Sequence, residues 1–456
     1  MSPFRSATVW SRLDHLLLRV GASRAVLFSV SAQAWMALIG PITTLVIARQ
    51  LDPVTQGFFY TFSSLLGLQV LFELGLATVI AQNASHEWVH LHRASDGSIA
   101  GTETALARLA SLGRFSVYWY TTAAVLFVVM LLFGGRYYFE AKTMGYAVVW
   151  WLPWVLLVVA IGLYLLIQPL FSLIEGCNQV DSLYGVRLVQ AVIASLGTMV
   201  ALGLGAGLFA LTIGAWLRLI VGVVWLIRRQ RGFCLLLLKY RSSVGIDWKR
   251  EVWPFQWRIG VSWLSGYVAF SLITPVMFHF HGPVIAGQMG MSLVIAGAVE
   301  SVAAAWLNTR SPQFGMLVAR RDFRALDELF GRSLRASMAI ALAGAGVVLM
   351  GAALLQALLP HYAARLLPLL PLGLLVIYRI ANLLVTGMAL YLRAHKQEPF
   401  MGISLINACL VGLALGWLGR TFGAIGAITG SLAATVVWTL PVGYRVFRRC
   451  RLEWHR

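Results

Sequence analysis

Two arginines, Arg218 and Arg379, stand near the middle of long apolar stretches, far from the charged segments that flank those stretches. A guanidinium group stays charged and is planar, so it matches the paired oxygens of a phosphate in bidentate geometry. Arginines that face an internal cavity could therefore bind a diphosphate. In the alternative, each would pair with an acid, satisfy a helix end or extend its charge to a polar boundary. Because both arginines lie near the middle of their apolar stretches, we favour a position facing a cavity.

Polar residues recur at helical spacing beside one of these arginines. Asn382 and Thr386 follow Arg379 at i+3 and i+7, which places the three on one helical face. Arg187 and Gln190 form a shorter stripe of the same kind. Because a polar stripe on an apolar helix should face water or protein, Arg187, Gln190 and Asn382 are candidates to line the same cavity as the two central arginines. For Arg187, which lies within about two turns of the cytoplasmic end of its helix, we favour extension of the charged group to the membrane interface.

Glu73 and Glu300 lie at similar depth in corresponding apolar stretches of the two halves of the chain. An ionisable side chain at the centre of a membrane costs about 2.5–3.5 kcal/mol, so each needs a partner or a function. The two glutamates are candidates for pairing with the cavity arginines or for accepting a coupling proton or sodium ion. A structural role, capping a kinked helix beside Gly75 or Gly297, is the alternative.

The composition places these residues inside a membrane protein. Of 456 residues, 59% are hydrophobic and 12% are charged, and the mean hydropathy is +0.79. Apolar stretches long enough to span hydrocarbon must satisfy their own backbone, which helices of about 20 residues do. We therefore predict an all-α, polytopic bundle of about twelve transmembrane helices. The formal net charge of +19 does not indicate nucleic acid, because the basic residues lie between the apolar stretches.

The distribution of Lys and Arg predicts the orientation and the domain organisation. Basic residues concentrate in alternate connections, so both termini should be cytoplasmic. The segments are, in chain order, a cytoplasmic basic leader at 1–24, an N-lobe with helices one to six at 25–227, a basic cytoplasmic linker at 228–256, a C-lobe with helices seven to twelve at 257–445, and a cytoplasmic basic tail at 446–456.

The two lobes carry similar patterns. The sequence near Gln179 is followed by GAGLFALTIG and that near Gln397 by GAIGAITG, while Gly57 and Gly287 each open an apolar stretch. Six helices per half return the chain to the same side, so the halves would be related by a pseudo-two-fold axis along the membrane normal. In transporters, this arrangement places the substrate cavity between two lobes.

The remaining signals exclude several classes of site. The four cysteines are scattered without metal-ligand spacing, and no nucleotide-binding or catalytic-triad motif has supporting context. No connection is long enough to form a soluble catalytic domain. We predict no catalytic residue, no metal site and no cofactor, and hence a transporter rather than an enzyme.

Residues 48–82, ARQLDPVTQGFFYTFSSLLGLQVLFELGLATVIAQ, resemble the start of the lipid-linked polysaccharide flippases of the multidrug/oligosaccharidyl-lipid/polysaccharide exporter superfamily. The likeness includes Ala-Arg-x-Leu, a glycine before the second helix and the acidic-Leu-Gly-Leu element at 73–76. It continues in Glu175 and Gly176 and in the segment 312–329. Drug antiporters of that superfamily characteristically carry an acid in the first helix, and residues 25–48 contain none.

The resemblance implies an alternating-access flippase in a bacterial inner membrane. It would move a polyprenyl-pyrophosphate-linked oligosaccharide from the cytoplasmic to the periplasmic leaflet for polysaccharide or exopolysaccharide biosynthesis. H+ or Na+ is the candidate coupling ion, and polymerase or assembly proteins are candidate partners. Two alternatives stay open: a cation-coupled small-molecule antiporter of the same fold, and an integral-membrane enzyme of polysaccharide assembly.

Overall fold

The computed structural model describes residues 24–93, 99–143, 147–240, 242, 245–395 and 397–455. The predicted basic leader lies outside these residues except for Arg24, which begins the first helix. Within the described residues the chain is helical apart from connections and one short hairpin. The hairpin, which the sequence pattern did not predict, pairs β1 (Leu91–Arg93) with β2 (Ile99–Gly101) in antiparallel register.

The described residues of the first half form nine α-helices. They are α1 (Arg24–Gln50), α2 (Pro53–Leu66), α3 (Gln69–Glu73), α4 (Leu76–Trp88), α5 (Glu103–Thr143), α6 (Trp151–Gly176), α7 (Val180–Gly203), α8 (Phe209–Trp225) and α9 (Arg231–Lys239), with a π-helical turn, Leu226–Gln230, between the last two.

The second half begins with a π-helical turn, Trp248–Val252. Its helices are α10 (Trp253–Phe270), α11 (Ile273–Asn308), α12 (Ser311–Ala319), α13 (Phe323–Leu358), α14 (Pro360–Ala363), α15 (Leu369–Arg393), α16 (Met401–Ala414), α17 (Arg420–Ala433) and α18 (Leu440–Trp454), with π-helical turns at Leu415–Gly419 and Ala434–Thr439.

The described residues contain nine helical stretches that are long and apolar enough to cross a membrane, and a tenth is formed by a helix pair bent by 44°. Two of the nine hold 57 and 54 residues, and at 1.5 Å per residue each far exceeds the roughly 30 Å hydrocarbon core. Both contain a break, at Gly282 (φ 83°) and at Gly423 (φ 63°). Divided there, the stretches provide twelve spans, as predicted.

Most helix contacts lie within one half of the chain. The two halves meet most extensively where α2 crosses α11, and α10 of the second half also packs beside α3 and α4 of the first. Gly57 permits this crossing, because a Cβ at that position would lie 1.9 Å from the carbonyl oxygen of Pro283. Gly287 faces Gly57 directly, since its own Cβ would lie 3.0 Å from the Gly57 nitrogen. Residues equivalent under a two-fold axis touch only beside that axis, so this contact favours the predicted symmetry.

Hydrogen bonds close the same side of the bundle, called here the Gly282 face. Gln56 is buried and donates from Nε2 to the carbonyl oxygens of Gly287 (3.0 Å) and Arg365 (3.1 Å). Gln288 donates to the carbonyl oxygen of Ala364 at 2.9 Å. Gln56 thus joins the first half of the chain to two separate segments of the second.

The opposite side, called the Gln179 face, carries the segment predicted as a basic linker at 228–256. This segment is not a free tether. Trp248 stacks on Phe115 with ring centroids 3.8 Å apart, and Arg108 bridges Glu87 (2.7 Å) and Glu251 (2.5 Å). The segment therefore packs against α5 of the first half.

Candidate functional site

A break in the second span positions Glu73. Helix α3 ends at Glu73, and the next two residues, Leu74 (φ 48°) and Gly75 (φ 68°), are left-handed before α4 begins. A left-handed conformation costs a residue such as leucine roughly 1–2 kcal/mol. In membrane transporters, broken helices of this kind commonly mark a substrate or ion site. The Glu73 side chain is buried beside this break.

Helix α8 provides the basic partner. The guanidinium of Arg218 lies over the ring of Tyr164 on α6, with its carbon 4.4 Å from the ring centroid. Arg218 is also near enough for its charge to act on the Glu73 carboxylate, although these two side chains form no ion pair within 4.0 Å. Tyr164 is buried, whereas the Arg218 side chain retains access to open space. We call Glu73, Arg218 and Tyr164 the amino-terminal charge cluster.

The second half contains an arrangement of the same type. Arg379 on α15 forms an ion pair with Glu300 on α11 at 3.0 Å, and its guanidinium carbon lies 5.1 Å from the centroid of Phe270. The side chains of Arg379 and Glu300 are only 14% and 18% exposed. We call Glu300, Arg379 and Phe270 the carboxy-terminal charge cluster. Each half thus presents an acid, a guanidinium and an aromatic ring inside the membrane-spanning region.

The two arginines are held differently. The crevice beside Glu300 and Arg379 is lined otherwise by apolar residues and has no room for a water molecule. In this conformation Arg379 is therefore held by Glu300 and does not face an open path, and its predicted role in binding substrate stays a prediction. Its Nε atom is buried without a hydrogen-bond partner. Whether Glu300 serves only as this charge partner or also accepts a coupling ion stays a prediction.

The polar stripe on α15 leads from this ion pair to a cavity of about 220 Å³. Asn382 and Thr386 line it, as the helical spacing predicted, and Arg393 lies further along the same helix. Asn382 is buried and donates to the carbonyl oxygen of Tyr378 at 3.0 Å. The cavity is also lined by Ser265, Phe270, Asn407 and Thr439, among others. It therefore combines hydroxyl and amide groups with an aromatic ring.

The shorter stripe on α7 is engaged in protein contacts. Arg187 pairs with Glu175 at 3.0 Å, and the Tyr184 hydroxyl donates to the same carboxylate. Gln190 is buried and donates to the carbonyl oxygen of Arg218 at 2.9 Å. Gln190 therefore ties α7 to α8 at the level of Arg218. The prediction that Arg187 and Gln190 bind substrate stays a prediction.

Several site residues carry no signal in the sequence. Tyr164 and Phe270 are ordinary aromatic residues in apolar stretches, and only the packing reveals that each lies beneath a guanidinium. Asn407 and Thr439 are joined by a hydrogen bond of 2.8 Å inside the cavity. A search for uncharged polar residues in the last two spans would have identified this pair.

Comparison with solved structures gives three informative likenesses. The lipid II flippase MurJ in an inward closed conformation matches with a TM-score of 0.60 and 13% identity over 94% of this chain and 90% of that chain. An inward-facing multidrug resistance MATE family transporter of the MOP superfamily matches with 0.57 and 13% over 92% and 98%. A MOP superfamily transporter from Pyrococcus furiosus matches with 0.53 and 14% over 95% and 96%.

Comparison with family models finds no match, and neither does comparison with curated proteins. The structural likenesses are below 25% identity, so what they establish is the fold. The protein is a polytopic, all-α membrane bundle with the fold shared by MATE transporters and MurJ. The fold that the sequence resemblance implied is thus confirmed.

Proposed function

We propose that the protein is an alternating-access flippase for a polyprenyl-diphosphate-linked oligosaccharide. The observation that carries the proposal is the presence of one charge cluster in each half of a two-part helical bundle. Placing four ionisable groups in the membrane-spanning region costs several kcal/mol, and three of them, Glu73, Glu300 and Arg379, are largely buried there. Such a cost is retained where the charges serve a substrate or an ion, and a transporter fold provides that setting.

Arg218 is the first proposed ligand of the diphosphate. It lies over Tyr164 with its guanidinium accessible, so it can offer a planar pair of donors to phosphate oxygens. Glu73, buried at the helix break, balances the Arg218 charge when no anion is present. A bound diphosphate would replace Glu73 as the counter-charge of Arg218, and the Glu73 carboxylate would then be free to accept a coupling cation.

Arg379 is the second proposed ligand, and it would become available only after the ion pair with Glu300 separates. An arriving diphosphate competes with the Glu300 carboxylate for the same guanidinium. The neighbouring cavity, with Asn382, Thr386 and Asn407, offers amides and hydroxyls that suit a sugar. The polyprenyl tail would stay in the lipid, outside the bundle.

The predicted orientation assigns the Gly282 face to the periplasm. Gln56 and the Gly57 crossing join the halves on that face, so release of substrate to the periplasm would require these contacts to break. On the Gln179 face, Arg108 of the first half pairs with Glu251 of the second, so entry of substrate from the cytoplasm would require this contact to open.

A cation-coupled small-molecule antiporter is the second candidate, and the buried acids favour it. Glu73 and Glu300 each occupy a site where a proton or sodium ion could replace an arginine as the counter-charge. That function predicts loss of transport in Glu73→Gln or Glu300→Gln, with Arg218→Gln tolerated. The flippase proposal predicts instead that Arg218→Gln abolishes transport.

The discriminating experiment uses cells that depend on this gene for surface polysaccharide. Complementation with Arg218→Gln should leave chemically complete lipid-linked units on the cytoplasmic leaflet, whereas Arg136→Gln should restore export. Arg136 is a suitable control because it is 61% exposed and pairs with Glu140 on the same helix. Complete units in the periplasmic leaflet of the Arg218→Gln strain would contradict the proposal and favour an enzyme of assembly.

A further inference from the structure

A polar basin of about 480 Å³ lies on the Gln179 face of the first half, away from both charge clusters. It is formed where the connection between α6 and α7 meets the π-helical turn after α8 and the β1 strand. All its lining side chains are polar or charged. They belong to Arg93, Asn178, Gln179, Asp181, Ser182, Arg229 and Gln230.

The basin has a surplus of positive charge. Arg93 and Arg229 contribute two guanidinium groups against the single carboxylate of Asp181. Among the described residues, neither arginine has a carboxylate within ion-pair distance, and Arg93 instead donates to Gln179 Oε1 at 3.2 Å. Two guanidinium groups that converge on one depression match the oxygens of a phosphate group.

The amino end of α7 adds further donors. No side chain caps this end, where Gln179 occupies the cap position. The first turn of a helix leaves backbone N–H groups without intrahelical partners, and the helix dipole favours an anion there. Phosphate groups bind to helix amino ends for these two reasons. The chain reaches the helix through Asn178, which is left-handed at φ 58°.

Gln230 provides an independent indication of a ligand. The residue is 3% exposed, and its Nε2 donates to Gln179 Oε1 at 2.8 Å. Its own Oε1 is buried without a hydrogen-bond partner, and so is the Nε2 of Gln179. One hydrogen-bonded pair of amides beside the basin thus holds an unsatisfied acceptor and an unsatisfied donor, and hydroxyl groups, which both donate and accept, complement such a pair. A π-helical turn, a frequent feature of functional sites, presents Gln230 and Arg229 together.

We propose that this basin binds a phosphate ester that carries neighbouring hydroxyl groups. Arg93, Arg229 and the amino end of α7 hold the phosphate, while Gln179, Gln230 and Ser182 hold the hydroxyls. The ester can come from a soluble sugar phosphate or from a phosphoinositol-type lipid head group. Binding at this site does not depend on the proposed flippase activity, because the basin shares no residue with either charge cluster.

The test uses the full-length protein in nanodiscs of neutral lipid and titrates it with glucose 1-phosphate and with inorganic phosphate. Arg229→Gln should weaken binding of both probes at least tenfold. Gln230→Leu should weaken glucose 1-phosphate alone, because inorganic phosphate lacks neighbouring hydroxyls. The matched control is Arg228→Gln, which removes the same charge from the adjacent exposed residue outside the basin and should change affinity less than twofold.

A second arm titrates the same variants with vesicles containing phosphatidylinositol. If Arg229→Gln and Gln230→Leu weaken binding to these vesicles, Arg228→Gln does not, and glucose 1-phosphate does not bind at all, the ligand of the basin is a lipid head group. Equal loss in Arg228→Gln and Arg229→Gln would overturn the proposal, since it would show only general attraction of anions to a basic surface. Failure of every probe to bind would also overturn it.

Discussion

The ion pair between Glu300 and Arg379 provides the most quantitative prediction. Replacing Glu300 by Gln leaves the Arg379 guanidinium charged in a site where its side chain is 14% exposed. Breaking a buried pair by removing one partner costs about 3–5 kcal/mol, because the remaining charge is uncompensated. The Phe270 ring stays beneath the guanidinium and retains about 0.5–2 kcal/mol of cation–π attraction. We therefore expect a loss near the lower limit, about 3 kcal/mol.

The assay is equilibrium unfolding of the purified protein in mixed micelles, with Glu453→Gln as the matched control. Glu453 pairs with Arg449 at 2.7 Å, closer than Glu300 to Arg379, but these two side chains are 50% and 77% exposed. An exposed pair contributes about 1 kcal/mol or less. The double variant Glu300→Gln/Arg379→Met should recover most of the loss, because it leaves no unpaired charge.

If Glu300→Gln were no more destabilising than Glu453→Gln, the Glu300–Arg379 site would be hydrated. Glu300 and Arg379 would then not form a dry, closed pair. A double variant as unstable as Glu300→Gln would show that packing, rather than charge pairing, determines the cost.

Three further predictions concern the crossing, the helix break and the linker. Gly57→Ala should loosen the Gly282 face, because the added Cβ would lie 1.9 Å from the Pro283 carbonyl oxygen, whereas a Cβ at Gly40, the control, meets nothing within 4 Å. Labelling of a cysteine placed at Gln288 should therefore rise in Gly57→Ala and not in Gly40→Ala. Equal labelling of the two variants would contradict the crossing. Gly75→Ala should cost roughly 1–2 kcal/mol of unfolding free energy, since Gly75 is left-handed at φ 68°, while Gly134→Ala in α5 should not destabilise. The hydrogen bond from Arg108, with that from the Asp247 N–H, holds the pKa of Glu251 below its usual value. A lowered carboxyl pKa stabilises the folded state above the ordinary glutamate pKa of about 4.3 and loses that effect as the pH falls through the folded value. Trp248 fluorescence should therefore change on acidification below that range, and a Glu251→Gln protein that responds identically would refute the assignment.

The architecture followed from the sequence because a membrane imposes strict length and composition rules on each span. Helical periodicity predicted that one face of a helix carries Arg379, Asn382 and Thr386, because helix geometry is local. The pattern also identified Gly57 and Gly287 as equivalent positions. It did not show that they touch each other, because contact across an axis depends on how the halves assemble.

The partners of the buried charges could not be predicted. Glu300 and Arg379 are 79 residues apart, and no periodicity relates them. Gln190 follows Arg187 at i+3, the spacing from which we predicted a cavity residue. Its amide instead donates to the carbonyl oxygen of Arg218 and so joins two helices. Whether a polar side chain faces a cavity or a neighbouring backbone depends on helix rotation, which is determined by packing of the whole bundle.

We propose that Arg218 and Arg379 bind the diphosphate as it crosses the membrane. The direct measurement reconstitutes the purified protein in proteoliposomes with a fluorescent polyprenyl-diphosphate oligosaccharide and follows its appearance in the outer leaflet. We expect transfer by the unaltered protein and by Arg136→Gln, and loss of transfer in Arg218→Gln and Arg379→Gln with the protein still folded. Unchanged transfer in the last two variants would contradict it.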